Sequence, residues 1–185
     1  MIRLGVVLGS IRPTRIGADV AQWVVDRANA VEGVGAELVD LAAFDLPVFA
    51  EPVPTAMAAP TDPAGAAFNE AVKGFDAIVF VTPEYNHSIP GALKNAIDFL
   101  EPSALAHKGV GLVGYSFTGG IRPVEHLRQI LSNFEAAVVN AQVSLSLVTD
   151  FENMSEFSPA EHHADEVPAM VEAVVARTKA LSSLR

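Results

Sequence analysis

The stretch "GSIRPTRIG", Gly9 to Gly17, puts two hydroxyls and two guanidinium groups into one short loop. Ser10 and Thr14 can donate hydrogen bonds, while Arg12 and Arg15 add charge in a forked donor geometry. A loop of this kind, running from a strand into a helix whose first amides are free, suits an anion. It is not the Gly-x-Gly-x-x-Gly of a dinucleotide turn, and it lacks the Gly-Lys-Ser/Thr of a triphosphate cradle. A terminal phosphate monoester matches better than either.

A second stretch, "VTPEYNHSIPGALKNAIDFL" (Val81 to Leu100), follows an apolar run with a proline, a carboxylate, a tyrosine and an asparagine. Pro83 fixes the backbone where the run ends, and Glu84, Tyr85 and Asn86 can offer consecutive main-chain N–H groups to the edge of a ligand. Asn86 carries both a donor and an acceptor, the pair a heterocyclic imide requires. Tyr85 can stack on a flat ring. A polar strand-to-helix turn would account for the same residues. The third stretch, "GYSFTGGIRP" (Gly114 to Pro123), combines the hydroxyls of Ser116 and Thr118 with Phe117 and the adjacent Gly119 and Gly120, which permit close backbone approach. Taken alone it reads equally well as a glycine loop entering a helix.

Other titratable residues carry less. Glu161, His162, His163, Asp165 and Glu166 resemble a metal cluster in composition, but around a helix start they spread over different faces, so the expectation is a solvated first turn and no metal. His87 sits in the second loop; His107 and His126 have no evident partner, and Trp23 fits a core stripe.

The elements that would position these loops come from the hydrophobic pattern. Apolar, β-branched runs at "IRLGVVLG", "AELVDL", "AIVFVT", "GVGLVGY" and "AAVVNAQVSLSL" read as strands. Between them lie helical patterns. One runs from Thr14 to about Val31 with Ile16, Val20, Trp23, Val24 and Ala28 on one face; others cover Ala64 to Lys73, the Leu93, Ala96, Ile97 and Leu100 stripe, and Gly119 to Phe134. Ser158-Pro159-Ala160-Glu161 has the form of a capping box, with Pro168 kinking or restarting the last helix. Residues 43–63, with five prolines from Pro47 to Pro63, are too long for a simple connection and read as a surface loop or a lid. Alternating strands and helices predict a single α/β domain over residues 1–185, with a five-stranded parallel sheet covered on both faces. Ligands then belong beyond the carboxyl ends of the strands, where all three unusual loops emerge.

Composition excludes other classes. The chain has 12 basic and 22 acidic residues, a formal charge of -10, which disfavours nucleic acid and anionic membranes as partners. It has no cysteine, which removes disulfides, thiolate metal sites and a thiol nucleophile. The N-terminal apolar run is too short for a signal segment, so a soluble cytoplasmic protein is expected.

Together, "GSIRPTRIG", "PEYNHSIPGALKNAIDFL" and "GYSFTGGIRPVEHLR" resemble the NADPH-dependent FMN reductases, a family that includes flavodoxin-like quinone, azo-dye and chromate reductases. The resemblance spans nearly the whole chain. It implies a flavodoxin-like, doubly wound sheet of order 2-1-3-4-5 with non-covalent FMN at the point where strand order reverses. By position it implies that Ser10, Arg12, Arg15, Ile16 and Gly17 surround the FMN phosphate. Pro83, Glu84, Tyr85 and Asn86 would hold the isoalloxazine along its polar edge, and Ser116, Phe117, Thr118 and Gly119 would close the far side. NAD(P)H would be co-substrate, passing hydride to flavin N5 before a quinone, flavin, azo compound or similar acceptor takes its place, in a ping-pong scheme with no catalytic side chain. Glu84 would orient its loop rather than act as an acid. A homodimer or homotetramer is implied, with the proline-rich loop and Phe99 as candidates for the subunit boundary. Two departures stand out. Phe99, Leu100 and Glu101 occupy a region where members commonly carry a tryptophan, and Gly17 replaces a common polar side chain. A flavodoxin-type electron carrier or a flavin-bound redox sensor is the alternative class.

Overall fold

A computed structural model describes residues 1–185. Five parallel strands form the sheet: β1 (Ile2–Leu8), β2 (Val34–Asp40), β3 (Ala77–Pro83), β4 (Gly109–Ser116) and β5 (Ala137–Ser146), in the order β2-β1-β3-β4-β5. Every residue of β3 and β4 is buried, as the unbroken apolar runs require of strands covered on both sides. α1 (Gly17–Asn29) and α5 (Glu166–Ala180) cover one face, where Val20, Val24, Met170 and Val174 pack on Leu4, Val6, Val79 and Val113. α2 (Pro63–Lys73), α3 (Gly91–Asp98) and α4 (Ile121–Ser132) cover the other, around Phe68, Phe80, Leu93, Leu112 and Leu127. The order reverses beside β1. Chain leaving β1 and chain leaving β3 therefore emerge side by side and pass to opposite faces, opening a crevice at their carboxyl ends.

Several boundaries differ from expectation. α1 starts at Gly17, not Thr14, because Thr14, Arg15 and Ile16 complete the loop; Trp23 is only half-buried and meets Phe157 edge-on at 5.5 Å. Ser158 does not cap a helix. A short 3-10 turn (Glu161–Ala164) intervenes, and α5 begins at Glu166 with Pro168 in its first turn, where a missing N–H costs nothing. Between β5 and that turn lies a hairpin that the pattern did not reveal, β6 (Phe151–Glu152) with β7 (Glu156–Phe157). No helix is long and apolar enough to cross a membrane.

The proline-rich segment is anchored along its length. Asn95 of α3 donates to the Pro47 carbonyl and accepts from the Phe49 amide, both at 2.8 Å, and the Thr55 hydroxyl donates to the Leu100 carbonyl at 2.9 Å. Glu51 accepts from the Thr61 hydroxyl and from the Thr61 and Asp62 amides, and these bonds hold its carboxyl below the ordinary range.

Behind the sheet, Lys108 is buried with its Nζ donating to the carbonyls of Val72 (3.2 Å) and Lys73 (3.0 Å) at the end of α2. Burial pulls its pKa down to about 8. In the unfolded chain the group titrates near 10.5, so between these values the unfolded state binds more protons and stability rises with pH. The unfolding free energy of the wild type relative to that of Lys108→Met should therefore climb by about 2–3 kcal/mol from pH 8 to pH 10.5. Chemical denaturation at a series of pH values measures this difference, and a flat difference across that window would refute it.

Candidate functional site

The loop after β1 holds itself together mainly by contacts to its neighbours. The Ser10 side chain is fully buried and its hydroxyl lies 2.7 Å from the Tyr85 hydroxyl, which locks the first loop to the second. Arg15 forms an ion pair with Asp40 at the end of β2, and its Nη1 also reaches the Arg12 carbonyl at 3.5 Å. Its Nε is buried with no hydrogen-bond partner. Arg12 is exposed, with its guanidinium 5.9 Å from the Tyr85 ring centroid. No side chain caps α1, so its first amides remain open at the loop's end.

The second loop turns tightly. Pro83 pairs with Tyr115 as the last residue of β3; then Tyr85 and Ser88 exchange backbone bonds of 2.9 and 3.2 Å across Asn86 and His87. Both central residues have positive φ, 49° and 73°, a conformation that asparagine and histidine tolerate better than most side chains. The Tyr85 amide is thus spent inside the turn, which removes it from the donors expected to meet a ligand; the Asn86 amide is not so engaged.

Glu84 joins the second loop to the third. One carboxylate oxygen accepts from the hydroxyls of Ser116 (3.0 Å) and Thr118 (2.9 Å), and the other lies 3.1 Å from Arg122. Ser116 Oγ in turn accepts from the amides of Thr118 (3.0 Å) and Gly120 (2.8 Å), while the Gly119 amide closes back on the Ser116 carbonyl. Gly119 is therefore a turn residue, at φ +71°, and not a free donor. The neighbouring Phe117 amide has no partner within the chain, and its ring is 64% exposed at the rim.

These loops enclose a cleft of about 380 Å³. Arg12, Arg15, Ile16, Pro83, Glu84, Tyr85, Ser116 and Phe117 line it. Asn86 and Thr118 face an adjoining hollow with Glu84, His87 and Arg122, whereas Ser10, Gly17 and Gly119 are buried and shape the wall from behind. Thr14, Tyr115, Leu147 and Met154 complete the lining. The last three escaped the sequence reading: Tyr115 looks like one more strand residue, and Leu147 and Met154 flank a hairpin without periodicity. Burial drives the Tyr115 phenol far above its usual pKa, so its hydroxyl stays a neutral donor. His87 is exposed and bonds Arg122 at 2.8 Å; His126 bonds Ser88 at 2.9 Å, and His107 lies 3.5 Å from Glu135. A larger hollow of about 620 Å³ lies across the first loop, between Ile11, Leu46, Val48 and the start of α3, and has few polar groups able to hold an anion.

Residues 2–150 match the family model described as NADPH-dependent FMN reductase. The chain belongs to this family. It is 34% identical over 137 residues to an NAD(P)H-dependent FMN reductase of Nectria sp, spanning 71% of this chain and 68% of that protein. It is 38% identical over 139 residues to a quinone reductase of Escherichia coli (strain K12), spanning 72% and 71%. FerB, a flavoenzyme NAD(P)H:(acceptor) oxidoreductase from Paracoccus denitrificans, superposes with a TM-score of 0.74 at 22% identity over 97% of this chain and 98% of its own. A short-chain flavodoxin also superposes, with a TM-score of 0.61 at 14% identity over 96% and 99%, so the architecture is flavodoxin-like.

The residues present fit the cofactor of an FMN reductase. A buried guanidinium nitrogen without a partner and an uncapped helix N-terminus lie at one end of the cleft, as a phosphate dianion requires. At the other end are the Asn86 side chain, unpartnered amides and the exposed Phe117 ring, suited to a flat, polar-edged heterocycle. The family departures also find causes. Phe99 is 1% exposed, packed on Phe49 at 5.0 Å and against Gly65, so it is a core residue and cannot lie at a subunit boundary. Gly17 sits directly against the Tyr115 hydroxyl, leaving no room for a side chain.

Proposed function

We infer that this FMN reductase oxidises NAD(P)H and reduces a small acceptor such as a quinone, a flavin or an azo compound. The observation that carries the reading is the coincidence, in one crevice, of Arg15 Nε, the open α1 amides and a ring-sized cleft beneath Phe117. FMN, when bound, supplies the redox chemistry, taking two electrons from the nicotinamide and returning them to the second substrate in a ping-pong sequence. Ser10, Arg12, Arg15, Ile16 and Gly17 would hold its phosphate; Pro83 to Asn86 and Ser116 to Gly119 would hold its ring.

The chain's own residues do the rest. The Ser10–Tyr85 bond fixes the separation between the phosphate end and the ring end. The Asn86 and Phe117 amides supply donors to whichever ligand edge gains negative charge, and neither has a competing partner within the chain. Glu84 is fully occupied with hydroxyls and Arg122, so it positions the loops and transfers no proton. The reading also carries a homodimer or homotetramer, for which exposed Ile11, Val48 and Met57 offer apolar surface, and a cytoplasmic location where NAD(P)H is held reduced.

The test is a spectrum of the purified protein, followed by anaerobic NADPH titration and turnover with and without a quinone. We expect a yellow protein, bleached by NADPH and reoxidised by quinone; a yellow protein that NADPH never bleaches would instead be an electron carrier. Arg15→Ala should weaken FMN binding roughly 100-fold, since a charge-assisted hydrogen bond is worth about 1.5–3 kcal/mol. Fluorescence quenching of added FMN measures it, and unchanged affinity would remove Arg15 from the phosphate site.

A further inference from the structure

The turn before α5 contains a cluster that the reductase chemistry does not use. His163 is buried, with Nε2 3.2 Å from Asp150 Oδ1 and Nδ1 2.6 Å from Glu166 Oε2. This departs from the solvated first turn expected from the sequence. His162 is exposed and its ring lies over that of His163, with centroids 3.9 Å apart. One nitrogen from each histidine and a Glu166 oxygen lie within 4.8 Å of one another.

We propose that His162, His163 and Glu166 form a divalent transition-metal site of the zinc class, with Asp150 as the carboxylate that orients His163. Both ring nitrogens of His163 face carboxylate oxygens, Nε2 toward Asp150 and Nδ1 toward Glu166. A cation bound to Nδ1 and to a Glu166 oxygen shifted aside from it leaves Nε2 to donate to Asp150. Metal-bound histidines commonly show this arrangement, the far nitrogen donating to a fixed carboxylate. Asp150 is well fixed. It is 1% exposed and accepts from the amides of Ser146 (2.8 Å) and Ala160 (3.0 Å) and from the Thr149 hydroxyl (2.9 Å).

The ligand set suits zinc or cobalt, which accept imidazole nitrogen and carboxylate oxygen at about 2.0–2.2 Å, with water completing a tetrahedron. Tetrahedral ligands at those lengths stand roughly 3.3 Å apart. Glu166 must therefore open from its 2.6 Å contact with Nδ1 by somewhat under an ångström, and exposed His162 must close by up to about 1.5 Å, whereas buried His163 stays in place. The site would tie the start of α5 to Asp150, from which the β6–β7 hairpin departs. That hairpin's turn carries Met154 to the rim of the flavin cleft.

The proposal does not depend on the reductase reading. FMN-loaded protein is titrated with Co²⁺, whose ligand-field bands lie to the red of the flavin bands, and the result is repeated with Zn²⁺ by calorimetry. One equivalent per chain is expected, with tetrahedral band intensity, and Zn²⁺ should raise the melting temperature. His162→Ala, an exposed change that leaves the fold intact, should weaken binding about 100-fold and abolish the thermal shift; Asp150→Asn should weaken it roughly 10- to 100-fold. Absence of stoichiometric uptake, or equal affinity in wild type and His162→Ala, overturns the proposal. So does loss of binding in a His87→Ala/His126→Ala variant, which would place the ion at the other histidine pair.

Discussion

Gly17→Ala should lower the melting temperature by roughly 2–8 °C and weaken FMN binding at least about tenfold. Two effects oppose each other at this position. Alanine is the better helix former by up to about 1 kcal/mol, and the backbone of Gly17 is not in the left-handed region, so the substitution has a conformational advantage. Against it, an added Cβ would fall on the Tyr115 hydroxyl, with the ring carbon behind it at 2.8 Å. Tyr115 is held in β4 by the sheet and by Phe151, so it cannot retreat cheaply. Overpacking of that kind costs about 1–3 kcal/mol, which outweighs the helix gain. The first turn of α1 must then move away from the cleft, taking its amides with it. Gly17→Ala/Tyr115→Phe removes the nearest obstructing atom and should recover part of the stability. Thermal melts and FMN fluorescence titration of the three variants check the chain of reasoning; a Gly17→Ala protein more stable than wild type would break it.

The second large effect is expected at Glu84. Its side chain is only 10% exposed and satisfies two hydroxyls and Arg122 at once. Glu84→Ala removes the acceptor that those groups share and loosens the second loop from the third, leaving the Arg122–His87 contact. Misplacing a bound ring by about an ångström can cost on the order of 100-fold in rate, and kcat for quinone reduction should fall by about that factor. Glu84→Gln keeps the shape and one acceptor oxygen but turns an amide N–H₂ toward a donor, so an intermediate loss is expected. The pH profile separates positioning from proton transfer. If Glu84 only positions, the profile of the glutamine variant overlays that of wild type after scaling; a missing limb would make it an acid.

Much of this was legible because the relevant forces are local or periodic. Unbroken apolar runs announced the two-sided burial of β3 and β4, and their alternation with helical stripes led to a parallel sheet, whereas the strand order came with the family resemblance. The three loops were conspicuous because arginines, hydroxyls and paired glycines are scarce elsewhere in an acidic chain. What stayed hidden was set by contacts between distant residues. Asp40 follows Arg15 by 25 positions, yet it holds the guanidinium, and no local pattern announces such a partner. The Tyr85 amide looked free until the turn at Asn86 and His87 claimed it. Tyr115 has the same strand context as its buried neighbours, and only its place beside Gly17 makes it part of the site. His163 looked solvated because Asp150, its buried partner, lies across a hairpin that carries no periodic signal.

The anchoring of residues 47–62 bears on the rhythm of turnover. Tethered through Asn95, Thr55 and Glu51, the segment contributes no residue to the lining of the cleft and is no lid upon it. Disorder that a mobile cover would surrender on each substrate's arrival has already been given up when the chain folds. In the two-substrate cycle proposed above, both molecules would pass an entrance that this segment does not gate.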